Sequence, residues 1–263
     1  MTAQLHAVRI DAREPQRVGR FWAGVLGWDL VNEPGGDVVL QPADGTAYRI
    51  SIHEVETPKR GQNRIHFDLT SSSPEAMDAT VARALELGGQ HIDIGQGTHK
   101  DHVVLADPEG NELCVIEAGN NFLSNTGVIG AINCDGSQAV GYFWSKALDW
   151  PLVWDQDEET AIQSPDGGSK ITWSGPPLMP RDGRDRLRLD LVLGQHDDLQ
   201  AETDRLVELG ATEAKTADTD GLRAGMVALI DPDGNEFRVL TLTSPPLPGS
   251  GTASRAPWTD MSR

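Results

Sequence analysis

The heptapeptide Asp107-Pro108-Glu109-Gly110-Asn111-Glu112-Leu113 returns 124 positions later as Asp231-Pro232-Asp233-Gly234-Asn235-Glu236-Phe237. Three further anchors repeat at a spacing of 122: Phe21-Trp22 as Phe143-Trp144, Asn63-Arg64-Ile65-His66-Phe67-Asp68-Leu69 as Asp185-Arg186-Leu187-Arg188-Leu189-Asp190-Leu191, and Glu86-Leu87-Gly88 as Glu208-Leu209-Gly210. Four anchors in one order at nearly constant spacing mean a tandem duplication, and a duplicated chain builds its core from repeated units. The first copy is assigned to residues 1–118 and the second to 127–243. Ala118 to Thr126 joins them, and a Pro-, Gly- and Ser-rich tail over 244–263 is expected to be flexible.

Periodicity divides each copy again. Leu5 to Asp11 alternates as a strand, with Leu5 and Ala7 out of phase with Val8 and Ile10. Val18, Phe21, Trp22, Val25 and Leu26 fall at helical spacing over Pro15 to Leu26, where Pro15 loses no partner in the first turn. Strands are predicted at Trp28 to Val31, Asp37 to Gln41 and Tyr48 to Val55. The order then recurs: a strand from Arg64 to Thr70, a helix capped by Ser73-Pro74 and closed by Gly88-Gly89, then strands at Gln90 to Ile94, Lys100 to Ala106 and Glu112 to Glu117. In Asp107-Pro108-Glu109-Gly110 the Pro and Gly positions favour a type I turn with a left-handed glycine. The chain therefore reads as an α+β protein of four β-α-β-β-β units.

Strand faces locate the candidate chemistry. Ile65, Phe67 and Leu69 oppose Arg64, His66 and Asp68, and Leu187, Leu189 and Leu191 oppose Arg186, Arg188 and Asp190. The apolar face packs on helices, and the ionisable face lines a concave pocket if the sheet curves.

Composition narrows the partners. A net charge of −18 repels nucleic-acid backbones and anionic lipid, so neither partner is expected. No apolar run is long enough to span a bilayer, and no secretory leader is evident. Two cysteines, Cys114 and Cys134, do not make a disulfide framework. A cytoplasmic protein, monomeric or homodimeric, with a small-molecule ligand is expected.

The Asp-Pro-x-Gly-Asn-Glu turn, the Phe-Trp helix before Leu26-Gly27-Trp28 or Leu148-Asp149-Trp150, and the Asn63-to-Leu69 segment together resemble the vicinal oxygen chelate superfamily. That superfamily includes glyoxalase I, extradiol dioxygenases and the fosfomycin- and bleomycin-resistance proteins. The resemblance covers roughly residues 5 to 242 and implies two glyoxalase-like modules with curved, cup-forming mixed sheets. Two ways of pairing the units are open: sequential, or exchanged, which mixes the environments of His66 and Arg238.

Metal-dependent members take ligands from equivalent strands of paired units. His66 matches one of these positions, and His53 stands near another. The first-strand position falls at Leu5 or, one residue on, at His6. The Glu expected after the turn is Cys114 in the first copy and Arg238 in the second, while Arg188 replaces the second copy's histidine. The resemblance thus implies a cup without the standard metal and with no cofactor. The alternative is a lyase- or isomerase-type enzyme with a divalent ion, zinc or another, held by His53, His66 and Cys114, in which His66 and His53 are the catalytic bases. Arg188 and Arg238 suit a carboxylate or phosphate, Trp173 offers a stacking face, and Asp68 and Asp190 complete the ligand-binding candidates. His99 and His102 are expected at a rim.

Overall fold

The computed structural model describes residues 2–33, 36–95, 101–180, 185–214 and 225–241; His99, Lys100 and the expected tail at 244–263 lie outside them. The first unit runs β1 (Gln4–Ala12), α1 (Pro15–Leu26), β2 (Asp29–Asn32), β3 (Val38–Gln41) and β4 (Arg49–Glu54). The second runs β5 (Ile65–Leu69), α2 (Pro74–Glu86), β6 (Gln90–His91), β7 (His102–Ala106) and β8 (Glu112–Ile116). The third runs β9 (Ile129–Cys134), α3 (Gln138–Leu148), β10 (Leu152–Gln156), β11 (Glu159–Gln163) and β12 (Lys170–Trp173). The fourth runs β13 (Leu187–Leu193), α4 (Leu199–Glu208), β14 (Thr212–Glu213), β15 (Met226–Ile230) and β16 (Glu236–Thr241).

The units pair by exchange. One eight-stranded sheet has the order β14-β15-β16-β13-β1-β4-β3-β2, and the other β10-β11-β12-β9-β5-β8-β7-β6. The first unit therefore shares a sheet with the fourth, and the second with the third. Antiparallel contact between opening strands makes both seams: β1 with β13, and β5 with β9. Every other strand of a unit extends its own half-sheet outward, so each sheet is mixed.

Helices join the units in the other sense. Trp22 on α1 meets Phe67 of β5 edge-to-face at 5.2 Å, and Trp144 on α3 meets Phe237 of β16 at 4.9 Å. Consecutive units thus share apolar packing, while exchanged units share sheets. Each edge-to-face pair adds about 0.5–1.5 kcal/mol beyond area burial. The same tryptophans donate from Nε1 to the carboxylates that open the repeated turns: Trp22 to Asp107 at 3.1 Å and Trp144 to Asp231 at 3.0 Å. Asp107 also accepts from the backbone N–H of Glu109 and of Asn111 and from the Asn111 amide. Glu109 in turn accepts from the backbone N–H of Arg13 and of Glu14 at the head of α1, and Asp233 does the same for Ser137 at the head of α3. An acidic group is favoured at a helix N-terminus, where backbone N–H groups lack partners. The two most specific sequence motifs are thus the two halves of one buried junction.

Local signals act as expected at the caps. The Ser73 hydroxyl accepts from Ala76 N–H at 3.2 Å, and Gly88 takes φ +93 after α2. Gly27 caps α1 in the left-handed region at φ +70, but its counterpart after α3 is Asp149 at φ +56. A side chain is strained there, and a carboxylate at a helix C-terminus opposes the dipole. Asp149→Gly is therefore expected to stabilise the chain by about 0.5–1 kcal/mol, read as a higher midpoint in urea at unchanged slope.

Two expectations need correction in extent. The strand expected over Gln90 to Ile94 is a two-residue pairing, Gln90–His91 with Leu105 and Ala106. The expected strand Tyr48 to Val55 is trimmed to Arg49–Glu54. Among the described residues, no helix is long and apolar enough to cross a membrane.

Candidate functional site

Each sheet turns one face to the helices and carries polar groups on the other, and these two polar faces are termed cups. The first lies across β1, β13, β4 and β16. A register shift between Leu5 and Ala7, at the β1–β13 seam, changes the phase of β1. Beyond it Val8, Ile10 and Ala12 enter the core, while Arg9 and Asp11 share the polar face with Arg188 and Asp190 of β13. Arg9 stands opposite Arg188, and Arg238 of β16 stands beside Asp190.

These charges are unevenly matched. Asp11 accepts from Arg9 Nε at 2.9 Å and from Arg188 Nη2 at 2.5 Å. Arg188 is only 1% exposed and also donates to the Asp185 carbonyl and faces Glu236 at 3.5 Å. Burial alone would raise the Asp11 carboxyl, but Arg188 and Arg9 hold it below the usual carboxylate range. Burial dominates at Asp190 and pushes its carboxyl up against the pull of Arg238, Arg9 and Arg188. Its Oδ1 is buried without a hydrogen-bond partner, as are Nε of Arg188 and Nε of Arg49. Among the described residues Arg238 hydrogen-bonds only the Met226 sulfur, at 3.9 Å. Burial, then repulsion from Arg9, lowers its guanidinium to about 10.

His53 lies in this cup on β4, where Nδ1 is 2.7 Å from Asp37 Oδ2. Burial and the Arg9 guanidinium hold the ring below the ordinary histidine range, against the pull of Asp37. His6 sits at the register shift, its pKa lowered by burial and by Arg49.

The second cup lies across β5, β9, β8 and β12. His66 on β5 pairs across the seam with Asn133, and Asp68 pairs with Cys114 on β8. His66 Nε2 is 3.3 Å from Asp68 Oδ1, and Asn133 donates to Asp68 Oδ2 at 3.2 Å. Burial would depress the His66 ring, but hydrogen bonds to Asp68 and Cys114 and their charge raise it to about 10. A cavity of about 260 Å³ adjoins Asn133 and is walled by Phe122, Trp154, Glu159 and Thr172. Thr172 Oγ1 is buried there without a partner.

The expected residues therefore divide between cups. His66 and Cys114 come together, but His53 belongs to the other sheet and cannot join them in one ligand set. Arg188, Arg238 and Asp190 converge, whereas Asp68 and Trp173 lie in the sheet of His66. Trp173 borders the cavity but is 1% exposed and packed in the apolar core, so its ring offers no open face. The exchange of units does not bring His66 and Arg238 together. Arg9, Asp11, Asn133 and Thr172 were not singled out from the sequence. The signal for the first two was the change of phase in β1.

The superfamily's metal scheme draws donors from both units that share a cup. In the cup of His66 the facing unit contributes Asn133, Thr172 and, at the cavity wall, the Glu159 carboxylate, but no imidazole, so the standard set is not matched there. His66, Asp68 and Cys114 bring one nitrogen, one carboxylate oxygen and one sulfur within 4.8 Å, the one such group among the described residues. All three come from a single unit, and His66 pairs with Asp68. In the other cup, guanidinium groups replace the donors and repel a cation.

The sequence matches the family described as Glyoxalase-like domain over residues 7–116 and again over 130–240. Glyoxalase I from Zea mays superposes with a TM-score of 0.63 at 12% identity, covering 91% of this chain and 92% of that chain. A Bacillus subtilis protein provisionally named a dioxygenase superposes at 0.62 with 16% identity, covering 91% of this chain and 85% of that one. At such identities the likeness is one of fold. A search of curated proteins returned no significant match.

Proposed function

The chain belongs to the glyoxalase-like domain family, with two copies of that domain, and from that premise we propose that the cup shared by its first and fourth units binds a small organic anion. One observation carries this reading. Arg9, Arg188 and Arg238 converge from β1, β13 and β16 on one polar face, and among the described residues Arg9 and Arg188 share Asp11 while Arg238 has no carboxylate in an ion pair. The terminal nitrogens of Arg9 and the whole Arg238 fork have no oxygen partner among the described residues. Arg9 and Arg238 are largely but not wholly buried, and a carboxylate or phosphate that reaches their unpaired nitrogens makes charge-assisted hydrogen bonds with them. Asp190, with Oδ1 unsatisfied beside these arginines, favours a ligand that also carries a hydrogen-bond donor.

The arginines fix the acidic group, Asp190 reads a neighbouring hydroxyl or amine, and His53 presents a ring oriented by Asp37. Burial keeps water from competing, so these contacts discriminate charge more sharply than surface pairs do. In a chain of net charge −18 the guanidinium groups stand among Asp11, Asp190 and Glu236, and attraction acts at short range. No step in this cup is assigned to a metal.

Salicylate supplies an acidic group beside a hydroxyl, phenyl phosphate supplies the acidic group alone, and salicylamide is an uncharged control. Calorimetric titration is expected to show saturable binding of at least one of the acids at one site per chain, and none of the amide. Equal binding of salicylamide, or no saturable binding across a panel of aromatic and aliphatic carboxylates and phosphates, contradicts the proposal.

A further inference from the structure

We infer that the anion held by the cup of the first and fourth units is a two-headed acid, a dicarboxylate or a carboxylate that also carries a phosphate, with its second charged group on Arg49. The inference rests on the anion reading of that cup and adds the chemical class of its ligand. Strand register carries it. On β4, Ile50 and Ile52 enter the core, so Arg49 and Ser51 face the cup together with His53. Arg238 stands opposite Asp190, Asp190 opposite Ala7, and Ala7 opposite Arg49, which makes one row across β16, β13, β1 and β4. Arg188, Arg9 and Ser51 form the next row. Ala7 brings no charge, so Arg49 is a cationic point apart from the cluster in which Arg9 and Arg188 share Asp11. Its Nε and the Ser51 hydroxyl are both buried without a hydrogen-bond partner. A guanidinium keeps its charge and offers five donors, and a carboxylate or phosphate accepts two of them at once.

The duplication supplies an internal comparison. In the other sheet the same row reads Cys114, Asp68, Ala131 and Lys170, so Lys170 stands where Arg49 does. Its ammonium donates to the Phe122 carbonyl and lies 4.3 Å from the centroid of the Phe122 ring. The basic group at this position is thus met from within the chain in one cup. In the other, no acceptor is bonded to the Arg49 side chain among the described residues. Arg9 and Arg49 lie one strand and two residues apart, about 8 Å between Cα atoms, which suits acids separated by a few carbons or one ring rather than adjacent ones. The Ser51 hydroxyl, opposite Arg9, offers a hydrogen bond to a ligand oxygen on the way.

Calorimetric titration of the full chain compares salicylate with 4-hydroxyisophthalate, the same molecule bearing a second carboxylate, and with 5-carbamoylsalicylate, in which an amide replaces that carboxylate. Glutarate and adipate are compared with their monomethyl esters. At least one diacid is expected to bind more tightly than its one-charge counterpart by on the order of tenfold or more, and Arg49→Gln is expected to bring that ratio down to about one. If Arg49→Gln does not fold, a crystal of the unaltered chain soaked with the preferred diacid decides the point, the second acidic group being expected within hydrogen-bonding distance of Arg49. The inference is overturned, with the anion site left standing, if a one-charge acid saturates the cup and no diacid exceeds it. It is equally overturned if the preference survives in folded Arg49→Gln, or if the second acidic group of the soaked diacid lies away from Arg49. Absence of saturable binding by every acid tested overturns the anion reading and this inference together.

Discussion

Arg238→Gln is expected to weaken binding of an organic anion by about 10- to 150-fold, the equivalent of about 1.5–3 kcal/mol for a charge-assisted hydrogen-bonded contact. Folding stability should change by no more than about 0.5 kcal/mol or rise slightly. The split follows from the partners. Among the described residues Arg238 hydrogen-bonds the Met226 sulfur alone, and burial and Arg9 depress it against the pull of Asp190, so the folded chain gains little from it. Arg188→Gln makes the opposite case. That guanidinium is 1% exposed and 2.5 Å from Asp11, and its removal leaves a buried carboxylate with Arg9 alone. A loss of about 3–5 kcal/mol is expected there. Urea denaturation and calorimetric titration on the same samples separate the two roles. If Arg238→Gln costs stability as Arg188→Gln does and leaves anion affinity unchanged, Arg238 is a structural residue.

The largest effect on folding is expected at the turn. Asp107→Ala removes the acceptor for Trp22 Nε1, for the Asn111 amide and for two backbone N–H groups, all at a buried position. Each orphaned donor costs about 1–3 kcal/mol taken singly. They belong to one network and do not add, so the total should be about 3–5 kcal/mol. Asp107→Asn retains one oxygen and should lose about half as much. Asp231→Ala should behave alike in the second copy, because Trp144 and Asn235 repeat the contacts. Thermal and urea unfolding measure the loss. A cost below about 1 kcal/mol in both alanine variants contradicts the junction's role.

That junction shows what the sequence could convey. The Phe-Trp pair and the Asp-Pro-x-Gly-Asn turn were legible as repeats because each needs particular residue types: an indole N–H, a carboxylate, a glycine at φ +87 or +84. The helices were legible from spacing and caps, and α1 begins and ends where Pro15 and Gly27 place it. Pairing of the units was not legible, since β1 presents the same alternation to β13 as it would to β5. The cups were only partly legible for a related reason. The register shift after Leu5 reverses the facing of every later side chain in β1, which conceals Arg9 and Asp11 from a strict two-residue reading. His53 and His66 looked like members of one site because both match ligand positions of the superfamily. Exchange of the units places them in different sheets. Trp173 looked available because aromatic residues often line pockets, but its side of β12 faces the helices.

Duplication has thus left two cups on one scaffold with different chemistry: guanidinium groups in one, and an imidazole, a carboxylate and a thiol in the other. The first cup is the proposed anion site. A crystal structure of the chain soaked with the tightest-binding acid from the titration tests it most directly. The acidic group is expected within hydrogen-bonding distance of Arg9 and Arg238, with its donor group toward Asp190. An anion found instead in the cup of His66, or only on the outer surface with Arg238 unchanged, contradicts it.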